Sequence, residues 1–341
     1  MRRRIFIRSS AIAAISAATA VALGSCNQQP SDSASSSSSD SDSTAPLRVG
    51  LVPWLGWGEA HIADEKGFYE AEGVEVEHIV FQSVTDVNSA LLSGQLDLVW
   101  LVAGDLVVLS DTQPGLKFIY ASDYSGEVDA IVGRNIAEPA DIAGKTIARE
   151  EVPYEIVFVA KFLESVGLTT DDVNVVPLTA ADGATALVAE NLDAVATYEP
   201  FITNALESSD QNTILFSAEG TNIIVNGLAA PEEVLSDRRE DVLAYLRAVE
   251  AANQFRESNP EEANQIVGDW VGLSGEEVAG LMEKITMMDV SSNKSVGFGD
   301  DDDLSIAGSI DAAGPILVAA GQASEAIPGK DLVDSSFINE L

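Results

Sequence analysis

Trp54, Trp57 and Glu59 fall within six positions of one another, just past an apolar run from Leu47 to Val52. The same arrangement recurs down the chain. Trp100 ends another apolar run, Asp123 and Ser125 follow a third, and Asp129 opens a fourth. Glu151 with Tyr154 and Asp182 precede helical stretches, and Tyr198 with Glu199 closes a short apolar segment. Aromatic residues are 6% of the chain, so the concentration of Trp and Tyr at these ends marks an aromatic-walled pocket. Several carboxylates share these positions with almost no Lys or Arg, Arg149 being the nearest exception. A carboxylate beside an aromatic face suits an organic cation, each cation–π contact contributing about 0.5–2 kcal/mol and charge-assisted hydrogen bonds adding to it. A sulfonate or nitrate would call for Arg or Lys, although helix N-termini also hold anions.

Each candidate has a plainer reading. Glu59 and Asp182 suit first-turn acids that complement a helix dipole. Of Glu150 and Glu151, one faces the cleft and the other water. Trp100 suits either core or cleft, and the Glu199-Pro200 pair suits a structural turn. Asp129 opens an otherwise apolar strand, where an unpaired carboxylate is costly, so it calls for a partner in protein or ligand. Only His61 and His78 are present, which argues against a His-rich metal site or a Ser-His-Asp triad, and no cofactor is expected.

The elements that position these residues alternate. Short β-branched runs such as 47–52, 74–81, 96–102 and 116–122 are separated by helical stretches, with Gly and Pro at the joints. That order predicts an α/β fold of largely parallel sheets covered on both faces, with ligand contacts just past the strand ends. After residue 230 the pattern is helical, and residues 274–288 continue it.

The start of the chain carries Arg2, Arg3, Arg4 and Arg8, then small apolar residues up to Leu23-Gly24-Ser25-Cys26. This is the layout of a secretory signal over 1–25 with a lipobox, in which Cys26 is acylated. Arg3-Arg4-Ile5-Phe6-Ile7 looks like a twin-arginine export pattern. Cys26 is the only cysteine, so no intramolecular disulfide competes for it. Residues 26–46 form a Ser/Asp-rich tether with a mean reach of roughly 25 Å. The chain is therefore expected to be exported, lipid-anchored and facing the periplasm or cell exterior. Its net charge of −37 becomes −41 without the four leading arginines, 14 basic against 55 acidic residues. Such acidity argues against nucleic acid and against docking on anionic lipid through a basic patch.

Several strings, in order, resemble the nitrate/sulfonate/taurine group of ABC-importer solute-binding proteins. They include Val52-Pro53-Trp54-Leu55-Gly56-Trp57-Gly58, Ala63-Asp64-Glu65-Lys66-Gly67-Phe68-Tyr69, Leu91-Leu92-Ser93-Gly94-Gln95-Leu96-Asp97, Phe162-Leu163-Glu164-Ser165-Val166-Gly167-Leu168 and Asp193-Ala194-Val195-Ala196-Thr197-Tyr198-Glu199-Pro200. The resemblance implies a two-lobed type II periplasmic-binding-protein fold with two crossover hinge strands, at 128–134 and 222–228. One lobe is then 47–127 plus 229–320, the other 135–221, with 321–341 a C-terminal tail. It also implies a monomer that binds a small molecule by lobe closure and delivers it to an ABC permease with a separate ATPase subunit, since no P-loop pattern is present here.

On residue types, the expected solute is a cationic or neutral nitrogen compound of guanidinium or amine kind. The alternative is a small anion such as a sulfonate, taurine or nitrate. A lipoprotein that senses rather than imports, and an enzyme related to a pyrimidine-synthesis enzyme of this fold superfamily, are the remaining readings. The chain has no evident nucleophile–base pair for the latter.

Overall fold

A computed structural model describes residues 45–299 and 304–341, and Ala45–Leu341 forms one compact unit. The signal, Cys26 and the tether as far as residue 44 lie outside the described residues. Eleven strands among these residues make two sheets. They are β1 (Leu47–Leu51), β2 (Val76–Val80), β3 (Leu98–Val102), β4 (Leu116–Tyr124), β5 (Asp129–Arg134), β6 (Thr146–Arg149), β7 (Asn174–Pro177), β8 (Ala194–Tyr198), β9 (Asn212–Ser217), β10 (Val225–Pro231) and β11 (Thr286–Met287).

The first sheet has the order β11-β4-β10-β3-β1-β2 and the second β7-β6-β8-β5-β9. Apart from β11, the two orders are the same pattern. In each, the strand entering from the other lobe is inserted between the third and fourth local strands. β1 is parallel to β2 and β3, while β10 is antiparallel to β3 and β4. β5 is likewise antiparallel to β8 and β9. The expectation of largely parallel sheets thus holds for the four local strands of each lobe. The inserted strand runs the other way because it arrives from the opposite side.

The chain passes between sheets at 125–128 and 218–224. Of the two expected crossover hinge strands, residues 129–134 are β5 and residues 225–228 belong to β10, each hydrogen-bonded to a neighbour on both sides. The segment 321–341 is no free tail. Val333 bridges Phe118 of β4, and Phe337 and Ile338 are completely buried against the first sheet. The run 274–288 is not all helix either. The helix ends at Met282, and Thr286 and Met287 pair with Tyr124 and Asp123 as an extra edge strand.

Alternation along β3 explains the layering. Leu98 and Trp100 point into one apolar cluster with Tyr245 and Leu246 of helix Arg239–Ser258. Val99 and Leu101 point into another with Leu106, Ile310 and Leu317. A strand covered on both faces reads as continuous apolar sequence. Helix Pro153–Ser165 belongs to the second lobe, yet its Ile156 and Val157 enter the second of these first-lobe clusters. The lobes therefore meet through apolar packing as well as at the cleft.

Candidate functional site

The cleft between the sheets is walled by Trp54 and Trp57 from the loop after β1, and by Tyr154 and Tyr198 from the second lobe. Val52, Val84, Val102 and Ile224 line the rest, and the non-aromatic polar groups are Asp129 and Asn226. The enclosed space is small, about 50 Å³, and opens to solvent. Trp54 meets Tyr198 edge to face across the cleft, ring centroids 6.0 Å apart. Among the described residues, no Lys, Arg or His lines it.

The loop bearing Trp54 and Trp57 is held by a close approach at Gly56. A Cβ there would lie 2.0 Å from Asp123 Oδ2, so only glycine allows the turn Leu55–Trp57 to sit on that carboxyl. Tyr154 is fixed at the first turn of helix Pro153–Ser165, where Pro153 supplies a pre-set φ and no surplus N–H.

Beneath the aromatic walls lies a buried polar chain. Asn226 donates to Asp123 Oδ1 at 2.8 Å and to Ser125 Oγ at 2.9 Å. Ser122 donates to Asp123 Oδ2 at 2.8 Å, and Ser125 lies beside Asp129. Desolvation pushes Asp123 up to about 7, against the hydrogen bonds from Ser122 and Asn226. Desolvation likewise pushes Asp129 to about 7, opposed by Ser125 and reinforced by the Asp123 charge. Asp105 is completely buried and also raised to about 7 by desolvation, against the hydrogen bond from the Tyr154 backbone. Glu155 is raised well above the ordinary glutamate range by burial and then by Glu150. Among the described residues, none of Asp105, Asp123, Asp129 and Glu155 has a salt-bridge partner. By contrast, buried Glu59 pairs with Arg256 and Asp97 with Arg48.

The structure brings Trp54, Trp57, Asp129, Tyr154 and Tyr198 to one cavity, with Ser125 and Asp123 supporting it from below. It does not bring the other expected residues there. Trp100 is core, its indole N–H donating to Tyr245 at 2.9 Å. Glu59 is buried against Arg256 of the long helix, away from the cleft lining. Glu151 is exposed and pairs with Arg149 at 3.2 Å, while Glu150 and Glu155 turn inward. Asp182 is exposed in the first turn of helix Ala180–Val188, its N–H capped by Thr179. Glu199 is buried but accepts from the backbone and hydroxyl of Thr203, both at 3.0 Å, and borders a separate groove. Asn226 was missed. Its signal was the one already used for Asp129, a polar residue inside an apolar strand.

Among the described residues, no three His, Cys, Asp or Glu side chains are placed to hold a metal ion.

The NMT1/THI5-like family matches residues 59–263, more than half of the chain. The chain belongs to that family. A Brucella abortus protein named as a binding protein is 24% identical over 231 residues, covering 66% of this chain and 72% of that protein. Two solved structures share the fold. The periplasmic aliphatic sulphonate binding protein SsuA of Escherichia coli has a TM-score of 0.70 at 15% identity, covering 85% of this chain and 92% of its own. The alkanesulfonate-binding protein SsuA of Xanthomonas axonopodis pv. citri, bound to MOPS, has 0.67 at 15%, covering 86% and 99%. The NMT1/THI5-like chain thus has the periplasmic-binding-protein fold, as the strings between residues 52 and 200 implied.

Proposed function

We propose that this chain is the solute-capturing component of an ABC-type importer. It closes two lobes on a small molecule, leaves the molecule chemically unchanged and hands it as a monomer to a membrane permease driven by a separate ATPase subunit. Lipid on Cys26 tethers it to the exporting membrane. The two passages at 125–128 and 218–224 serve as the hinge.

The solute that fits best is a cationic or neutral nitrogen compound. The observation that carries this is the cleft lining: among the described residues Asp129 is its one carboxylate, four aromatic rings surround it, and no cationic side chain faces it. A protonated nitrogen at Asp129 would restore the charge that burial penalises and gain cation–π contact with the walls.

A small sulfonate is the second reading. The ligands named for the two solved neighbours favour it, and so the comparisons lean towards the anion while the lining leans towards the cation. One feature of the site favours it too, since the indole N–H groups of both Trp54 and Trp57 are buried with no partner among the described residues.

Thermal unfolding of the chain with a panel of guanidinium, amine, urea-like, nitrate and sulfonate compounds at fixed ionic strength separates the two, because a ligand of the folded state raises the midpoint. A shift with nitrogen compounds is expected. A shift with sulfonates alone would replace the first reading by the second.

A further inference from the structure

The donors of Asn226 and Ser122, beneath the cleft, are engaged on buried neighbours. Asn226 has one amide nitrogen with two hydrogens, and both are engaged, one on Asp123 and one on Ser125. Ser125 accepts from Asn226, and its hydroxyl lies beside Asp129. The Ser122 hydroxyl is engaged on the second oxygen of Asp123.

What the floor itself leaves for the cleft is therefore the carbonyl oxygen of Asn226, which receives no hydrogen bond from the described residues, and the carboxyl of Asp129, while the walls keep the indole N–H groups of Trp54 and Trp57, both buried with no partner among the described residues. With Asp123 ionised, turning the Asn226 amide over would set its oxygen against that carboxylate and give up the bond to Asp123. The orientation is thus imposed by buried neighbours and cannot adapt freely to an incoming acceptor.

We infer that Asp129 and Asn226 form a two-acceptor floor, and that Asn226 makes the site select its solute by N–H donors: an amidinium, guanidinium, primary ammonium or primary amide head that engages both oxygens at once. This rests on the reading of the cleft as the solute site and narrows it from charge to hydrogen-bond pattern. The Trp54 and Trp57 indole N–H groups would meet an acceptor elsewhere on the same solute, which leaves the demand of the floor unchanged. A site built to pair buried acceptors with N–H groups discriminates strongly against a partner that lacks them, because the acceptors are then desolvated and unpaired.

Three probes of similar shape test this. Benzamidinium carries a flat ring with N–H donors, phenyltrimethylammonium the ring and charge without N–H, and benzenesulfonate the ring with acceptors alone. Calorimetric titration of the chain at pH 8, where Asp129 is ionised, is expected to give benzamidinium at least about tenfold tighter binding than phenyltrimethylammonium. Benzenesulfonate should be the weakest.

Asn226→Ala should bring the two cations to within about threefold of one another, with folding checked by its unfolding midpoint. Should that variant fail to fold, the wild-type comparison still decides. Equal affinity for the two cations overturns the two-acceptor floor and leaves the cation reading intact. Benzenesulfonate as the tightest probe overturns both.

Discussion

Asp105, on the first lobe, accepts the backbone N–H of Tyr154, on the second, at 3.0 Å. The helix Pro153–Ser165 has no side-chain cap of its own, its N-cap position being Val152. A carboxylate from the facing lobe thus takes the place that Ser, Thr, Asp or Asn usually fills. Tyr154 lines the cleft, so this contact joins ligand, helix terminus and lobe approach at one point.

Removing it should loosen closure. Asp105→Ala gives up a cap worth about 1–2 kcal/mol that exists only while the lobes are together. Small-angle scattering of the unliganded variant should show a larger radius of gyration than wild type, and solute affinity should fall about 5- to 30-fold. An unchanged radius and affinity would mean that apolar packing of Ile156 and Val157 alone holds the lobes.

The three carboxyls raised to about 7 make a pH prediction. Their unfolded value is near ~3.9, so between about pH 4 and pH 7 the folded chain holds protons that the unfolded chain releases. Their contribution to stability is therefore present at low pH and lost as pH rises through the folded value, by at most about 1.4 kcal/mol per pH unit for each carboxyl. The unliganded unfolding midpoint should fall from pH 5 to pH 8, and Asp129→Asn should flatten that fall. Carboxyls held below their ordinary range, such as Asp97 beside Arg48, act in the opposite sense below about pH 4 and do not enter this window. A midpoint that climbs between pH 5 and pH 8 would contradict the assignment.

Much of the fold could be read in the sequence because its signals are local. Gly67 and Gly73 flank the short helix Phe68–Glu72 with φ of 71° and 76°, and β-branched runs become strands close to where they occur. The aromatic walls were legible as residues at strand ends. What stayed hidden depends on long-range pairing. The first sheet is completed by β10, from residue 225 onward, so nothing near Asn226 in sequence announces that it stands beside Asp123 and Ser125. Trp100 sits on a strand buried on both faces, where a strand-end position does not imply exposure. Glu151 was favoured by position, but Arg149, two residues before it, holds it at the surface.

Gly56 should not tolerate a side chain. An alanine methyl there would overlap the Asp123 carboxyl, which is itself fixed by Ser122 and Asn226 and cannot retreat without breaking those bonds. Gly56→Ala should cost about 1–3 kcal/mol by chemical denaturation, as overpacking does. The companion Gly94→Ala has nothing within 4 Å of the added carbon but a φ of 72°, so any loss there reports backbone strain alone. A Gly56→Ala variant as stable as wild type would show that the loop and the carboxyl are not in contact.

Trp54 and Trp100 are the last pair to separate. Both looked like pocket residues, yet one walls the cleft against Tyr198 and the other fills the core against Tyr245 and Tyr120. Trp100→Ala should lower unfolding free energy by about 3–5 kcal/mol through its cavity, and it leaves the Tyr245 hydroxyl short of a donor. Trp54→Ala removes a partly buried ring at the cleft, so its larger effect should be on solute affinity, with the unfolding midpoint of the unliganded chain moving far less. The two variants, measured by denaturant unfolding and by titration with the same solute, should therefore change places between the two assays. If Trp54→Ala proved the more destabilising and Trp100→Ala the poorer binder, the cleft would have to be sought on the other face of β3.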